Sequence, residues 1–217
     1  SERQFELKLN GQFFGMITYA VNMPISMGNY KVLTELHELL LNPLKNAVQY
    51  HQAMQLAMQD SLTQLGNRRS FDEQIKRTMA QANRRHTRVG LILSDLNQFK
   101  AINDTFGHNI GDNVLVQFAK ALRQSVRDTD CVFRFGGDEF AIIVADATEQ
   151  ALSVIEHRIY HAMSQDALLA KHNVTSSLGL AFMNRADNAT SFFKRADKAL
   201  YSQKMTMPQK LSIVSQS

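Results

Sequence analysis

The stretch Arg134-Phe135-Gly136-Gly137-Asp138-Glu139-Phe140 decides how this chain reads, with Cys131-Val132-Phe133 running into it and Ala141-Ile142-Ile143-Val144 running out. Two β-branched or aromatic runs separated by Gly-Gly predict a β-hairpin, because glycine reaches the positive φ that a tight turn demands. Two acids, Asp138 and Glu139, follow the turn. Carboxylates beside a turn without side chains leave room for something bulky and something cationic; a solvated turn is the plainer alternative. A second acid bears on the choice. Val89-Gly90-Leu91-Ile92-Leu93-Ser94 predicts a buried strand, and it stops at Asp95. If the two strands pair, Asp95 meets Asp138 and Glu139 at one edge of a sheet. Mg²⁺ (or Mn²⁺) takes oxygen ligands, commonly one or two carboxylates plus substrate phosphates, so this edge suits metal-assisted phosphoryl or nucleotidyl transfer.

The 217 residues can hold one good core plus a partial second unit, and 44% hydrophobic content suits a globular protein. A net charge of +4 fits a phosphate ligand but is too weak to argue for nucleic acid. One cysteine, Cys131, excludes an internal disulfide and reads as a small hydrophobe in a reducing, cytoplasmic setting. No run approaches the ~18 apolar residues of a membrane span, and no signal peptide opens the chain. A membrane anchor further upstream stays open.

Phe5 to Leu9 and Phe13 to Tyr19 flank Asn10-Gly11, a strong hairpin signal. We read residues 1–30 as the end of an upstream sensor domain. Packing of the hairpin on the next helix or on another copy is the alternative. From residue 31 to 59, Val32, Leu36, Leu39, Leu40, Leu44, Val48, His51, Met54 and Met58 recur at helical steps, with Pro43 set to kink the helix or restart it at Asn42. This segment is either a dimerising signalling helix or a helix that only packs on the hairpin.

Residues 60–217 form the main domain. Ser70 with Glu73 reads as a capping box, followed by a helix with Phe71, Ile75 and Met79 inward. After Asp95, Leu96-Asn97-Gln98-Phe99-Lys100 opens a short helix whose start, with the Lys100 charge, suits phosphate. Asn103 and Asp112 flank Gly107-His108. An amide and a carboxylate together match the Watson–Crick edge of guanine, although Asp112 alone reads as an N-cap for the helix carrying Val114, Leu115 and Phe118. Arg127 and Asp130 read as a surface ion pair. Thr148 caps one later helix, and Thr190 or Ser191 starts the last.

Taken together, Gly136-Gly137-Asp138-Glu139-Phe140, Asp60-Ser61-Leu62-Thr63, Asn67-Arg68-Arg69, Asp95 to Asp104, Gly107-His108, Gly111-Asp112 and Ala196 to Tyr201 resemble the GGDEF family, the diguanylate cyclases that condense two GTP into cyclic di-GMP. The resemblance covers about Asp60 to Val214. It implies an α/β (α+β) fold with a mainly antiparallel five-stranded sheet flanked by helices, and catalysis by a homodimer. It also implies Mg²⁺ at Asp95, the Leu96 carbonyl, Asp138 and Glu139, with Asp138 or Glu139 assisting catalysis. Triphosphate falls to the amides near Gln98 and Phe99, to Lys100, to the Gly136-Gly137 turn and to Lys204. Asn103, His108 and Asp112 contact the substrate, the first and last reading the base. Arg127 and Asp130 match an Arg-x-x-Asp product-inhibition site, to which Arg158 adds a contact. Asn97 stands where many members carry a second Asp. Gln64 stands where Gly is usual, and the arginine usual after Lys204 is replaced in Lys204-Met205-Thr206-Met207-Pro208. A catalytically silent GTP or cyclic di-GMP binding module and a one-nucleotide cyclase remain the competing readings.

Overall fold

The computed structural model describes residues 2–9, 12–22 and 24–206. The chain divides into two compact units, Ser1–Ala57 and Met58–Ser217. In the first, β1 (Glu2–Leu9) pairs antiparallel with β2 (Gln12–Ala20), Phe5 opposite Ile17 and Leu7 opposite Gly15. The Asn10-Gly11 turn itself lies outside the described residues. Helix α1 (Met27–Leu56) starts earlier than the apolar spacing predicts, because Ser26 caps it: its Oγ accepts from Asn29 N–H at 3.2 Å. It continues through Pro43 without a restart at Asn42. Phe5, Leu7, His37 and Leu41 are buried, the Phe5 ring lying 4.8 Å from that of His37, and Tyr19 Oη meets His37 Nε2 at 2.9 Å. Val32, Leu36, Leu39 and Leu40 stay exposed; the His51 side chain lies outside the described residues.

The second unit is a mixed helix-and-sheet domain. Its elements are α2 (Arg68–Arg85), β3 (Gly90–Leu96), α3 (Phe99–Phe106), α4 (His108–Ser125), β4 (Cys131–Gly136), β5 (Glu139–Val144), α5 (Glu149–Gln165), α6 (Ala167–Lys171), β6 (Ser176–Phe182) and α7 (Ala189–Thr206). Four strands, where five were expected, pair among the described residues, all antiparallel, in the order β4-β5-β3-β6. Side chains of a strand alternate between faces. Leu91 and Leu93 of β3 therefore join Ala141 and Ile143 of β5 under α2 and α7, packing on Phe71, Ile75, Phe192 and Ala196. Ile92 and Leu96 join Phe140 and Ile142 on the other face, against Val114, Phe118, Leu122, Ile155 and Ile159 of α4 and α5. β3 is buried along its whole length, as its unbroken apolar run predicts.

Two helix starts are displaced from expectation for one reason. Asn67, not Ser70, caps α2: Asn67 has extended backbone and its Oδ1 accepts from Ser70 N–H at 3.1 Å. Asn188 does the same for α7, accepting from Ser191 N–H at 2.9 Å, and its own N–H donates back to Ser191 Oγ at 3.1 Å. In both, the serine read as the cap sits three residues inside it. Thr148 caps α5 as expected, accepting from Ala151 N–H.

A polar clasp ties the loop before α2 to the β4–β5 hairpin. Buried Arg134 donates through Nε and Nη2 to the Gly137 carbonyl at 3.1 and 2.8 Å, and through Nη1 to Asp60 Oδ1 at 2.9 Å. Asp60 Oδ1 also accepts from the N–H and Oγ1 of Thr63, and Arg134 N–H donates to the Gly66 carbonyl. The loop turns at Gln64 with φ of 59°, the left-handed conformation that favours glycine.

Gln64→Gly is expected to raise unfolding stability by about 1 kcal/mol, because strain at a left-handed non-glycine residue outweighs glycine's added chain entropy. Chemical denaturation reads it, and an unchanged or lower midpoint removes the strain account. Burial pushes the Asp60 carboxyl up, but the Thr63 and Arg134 hydrogen bonds outweigh it and hold the group below the usual aspartate range. Its stabilising contribution is therefore complete above the ordinary aspartate pKa and is lost as pH falls through the lowered one. Asp60→Ala, which strands Arg134, is expected to cost about 2–3 kcal/mol at pH 7. The gap to the parent chain narrows in acid below the ordinary aspartate pKa; a gap independent of pH there excludes the carboxylate as its source.

Candidate functional site

The register brings the acids to one edge. Asp95, next to last in β3, stands opposite Glu139 of β5 and Ser177 of β6. Asp95 shares the face of Leu91 and Leu93, which α7 covers, and Lys204 near the end of α7 places Nζ 2.6 Å from Asp95 Oδ2. Burial, with the nearby Asp138 charge adding to it, raises the Asp95 carboxyl above the ordinary range despite Lys204. Asp138 is half-buried and Glu139 exposed.

The hairpin turn falls one residue later than Gly-Gly alone predicts. Gly136 pairs with Glu139, so Gly137 and Asp138 form the turn, after an irregularity between Arg134 and Gly136. Gly136 has φ of 139° and Gly137 of 55°, and a Cβ on either would meet nothing within 4 Å. Glycine is thus required by the backbone, and the space outside the turn stays free. The Asp138 carbonyl accepts from Leu96 N–H at 3.2 Å, which fixes the turn to the end of β3. Asn97 completes the edge: its N–H donates to the Thr175 carbonyl, its Nδ2 to Thr175 Oγ1 at 3.1 Å, and its Oδ1 accepts from Ser177 Oγ at 2.8 Å.

Among the described residues no three His, Cys, Asp or Glu side chains gather as a metal site by themselves. A cation held here would draw on Asp95, Glu139, a main-chain carbonyl such as that of Leu96, and ligand phosphates. Such hard-oxygen donors fit Mg²⁺ or Mn²⁺. That Lys204 pairs with Asp95 marks the same point as cation-binding.

The α3–α4 elbow lies beyond β3. Gln98 precedes α3 with φ of 54°, and the amides at the start of α3 lack partners from a preceding turn. Gln98 and Lys100 are exposed, and Phe99 and Asn103 half-buried. Gly107, with φ of 84°, joins α3 to α4, which begins at His108. Asp112 is exposed within α4, one turn past its start, so it does not cap that helix. It follows His108, the first residue of α4, by four positions, so the two share one side of the helix start. Gly111 is buried, and a Cβ there would collide with Asn103 Oδ1 and approach the Phe99 ring. Glycine at 111 thus seats Asn103, a role that spacing alone did not reveal.

At the opposite end of β4, Asp130 is buried rather than ion-paired. Its Oδ2 accepts from Arg127 N–H at 3.1 Å and its Oδ1 from Ala145 N–H at 3.2 Å. The expected Arg127–Asp130 ion pair is thus replaced by a turn built on main-chain donors. The Arg127 and Arg158 side chains are exposed. Cys131 is half-buried, and burial followed by the Asp130 charge pushes its thiol pKa up.

The match to the diguanylate cyclase GGDEF domain covers residues 57–210. The chain is 38% identical over 188 residues to diguanylate cyclase DgcS of Shewanella oneidensis, covering 87% of this chain and 63% of that protein. It is 38% identical over 158 residues to response regulator PleD of Caulobacter vibrioides, covering 70% of this chain and 35% of PleD. It thus spans less than two thirds of either relative. Among solved structures, the coiled coil and GGDEF domain of DgcB from Caulobacter crescentus, in complex with c-di-GMP, aligns with a TM-score of 0.71 and 27% identity, over 80% of this chain and 94% of that one. Its GGDEF domain alone, also with c-di-GMP, aligns with a TM-score of 0.64 and 31% identity, over 69% of this chain and 91% of that one. This chain belongs to the GGDEF-domain family of diguanylate cyclases.

Proposed function

We propose that this chain condenses two GTP into cyclic di-GMP and pyrophosphate across two facing copies. The observation that carries the reading is Asp95 opposite Glu139 beside a glycine turn with free space outside it. Asp95, Glu139 and the Leu96 carbonyl, with ligand phosphates and the nearby Asp138 charge, would hold a divalent cation, and Mg²⁺ there would supply charge neutralisation of the triphosphate and polarisation of its α-phosphorus. The first amides of α3, Lys100, Lys204 and the Gly136-Gly137 main chain cradle the phosphates. Asn103 and Asp112 read guanine, and His108 adds a substrate contact. Each 3′-hydroxyl, its proton taken by Glu139 or Asp138, attacks the α-phosphorus of the opposite GTP and expels pyrophosphate. The exposed Val32, Leu36, Leu39 and Leu40 of α1 support pairing of two copies through residues 31–59, and residues 1–30 read as the end of an upstream sensor unit. Arg127, Asp130 and Arg158 form an inhibitory product site, the exposed guanidinium groups forking to phosphate and stacking on guanine. GTP as substrate suits a cytoplasmic location. The absence of arginine after Lys204 favours the second reading, a silent module that binds GTP or cyclic di-GMP and signals to a partner.

Incubation of the purified chain with GTP and Mg²⁺, with products resolved by liquid chromatography, is expected to yield cyclic di-GMP. Glu139→Gln should lose at least about 10³-fold in rate with an unchanged circular dichroism spectrum, and Arg127→Ala should relieve product inhibition. GTP binding without product from a forced dimer establishes the silent module instead, and cyclic GMP as the product establishes a one-nucleotide cyclase. Gly111→Ala is expected to dislodge Asn103 and raise the KM for GTP about tenfold, the worth of one hydrogen bond, with a smaller change in kcat. An unaltered KM removes Asn103 from base recognition.

A further inference from the structure

Away from the acidic edge, the described residues hold one pair of histidines at helical spacing. His157 and His161 lie four residues apart on α5, both exposed, with ring centroids 6.5 Å apart and ring planes within 10° of parallel. The helix that carries them is firmly seated. Leu152, Ile155, Ile159 and Met163 bury its other face, and Thr148 caps its start. The two rings therefore project from a rigid backbone at a fixed separation.

Imidazole is a preferred ligand of divalent zinc, nickel and copper, and side chains four apart on a helix are neighbours able to reach one ion. At metal–nitrogen distances of ~2.0–2.1 Å, two adjacent ring ligands stand with centres about 5 Å apart. Closing from 6.5 Å asks for small rotations of two exposed side chains and no movement of the core. The surrounding charges are few. Arg158, exposed, follows His157 and opposes a cation, while half-buried Glu156 precedes it and acts on Tyr160 on the next turn. Ser164, beyond His161, has its hydroxyl engaged with the His161 carbonyl. Water would complete the coordination of such an ion.

We infer that His157 and His161 form a two-histidine site for a divalent transition ion, Cu²⁺ bound more tightly than Ni²⁺ and Ni²⁺ more tightly than Mn²⁺, as ligand softness and the usual affinity order dictate. The ion staples one turn of α5, the helix that also presents Arg158. This site is independent of the nucleotide reading, because none of its ligands belongs to the acidic edge.

The test is titration of the full chain with Cu²⁺ alone, without nucleotide, followed by electron paramagnetic resonance and thermal denaturation. The expected result is one ion bound through two imidazole nitrogens at micromolar Cu²⁺, with a melting temperature about 2–4 °C higher near saturation. Both signals should disappear in His157→Ala and in His161→Ala and persist in His108→Ala and His172→Ala. Because the mutated side chains are exposed, both variants should match the parent's melting temperature without metal. Two-nitrogen binding that survives either substitution, or no binding below millimolar Cu²⁺, overturns the site.

Discussion

A buried guanidinium holds the acidic turn in place. Arg134 lies on β4 with its side chain nearly covered, and its guanidinium hydrogen bonds serve the hairpin and the loop before α2: the Gly137 carbonyl twice, Asp60 once. A Gly-Gly turn is the most mobile backbone a chain can offer, and two glycines alone would leave Asp138 and Glu139 poorly fixed. The fork of Arg134 restricts that freedom from inside, and the Leu96 N–H bond to the Asp138 carbonyl restricts it from the side. Removing either partner of a buried ion pair leaves the other as an uncompensated charge, so the clasp is far more costly to break than its net contribution suggests. The same Asp60 orders the Asp60–Leu65 loop, whose main chain closes through Asp60 N–H to the Leu65 carbonyl. The entry to the domain and the acidic turn are thus secured by one side chain.

The sheet explains why the chemistry collects at one edge. β3 lies between β5 and β6, so whatever ends β3 is flanked by both neighbours, and Asp95 meets Glu139 on one side and Ser177 on the other. Register decides this, since a slip by one residue would turn Asp95 toward Phe118 and Val114 on the opposite face. The alternation of Leu91 and Leu93 with Ile92 prevents the slip, because each face already has its apolar partners. On the covered face α7 approaches very closely: a Cβ at Gly179 would strike the main chain at Ala196 and Leu200. That approach brings Lys204 within reach of Asp95.

Much of this was legible in the residues. The strand carrying Asp95 near its end and the hairpin around Gly136-Gly137 follow from apolar runs and turn chemistry, whereas the pairing between them entered only as a condition and the antiparallel sheet only through the family resemblance. Caps were less legible: Asn67 and Ser70, or Asn188 and Ser191, are both good capping types three residues apart, and propensity does not rank them. Asp112 misled as a cap because helix α4 starts at His108 from a glycine with no side chain to cap it. Gln64 carried a readable signal, a residue other than glycine where glycine is usual, and its meaning emerged only with φ of 59°. Asp60–Arg134 and Gly111–Asn103 were out of reach because they join positions far apart in sequence or through a missing Cβ. Spacing encodes neither.

Lys204 and Asp95 give the proposed site its own logic. A buried carboxylate next to Asp138 is costly to keep charged, and burial with that neighbour already moves its pKa upward. The ammonium of Lys204 offsets part of that cost. Lys204 would share Asp95 Oδ2 with any divalent cation held there, and a lysine released from that oxygen would carry an unpaired charge. A triphosphate entering with the cation offers that charge a new partner. Cation without phosphate would strand the lysine, and phosphate without cation would meet three acids, so the two bind better together than either alone. In the proposed reading this coupling ties metal occupancy to nucleotide occupancy by charge balance, with no moving lid required.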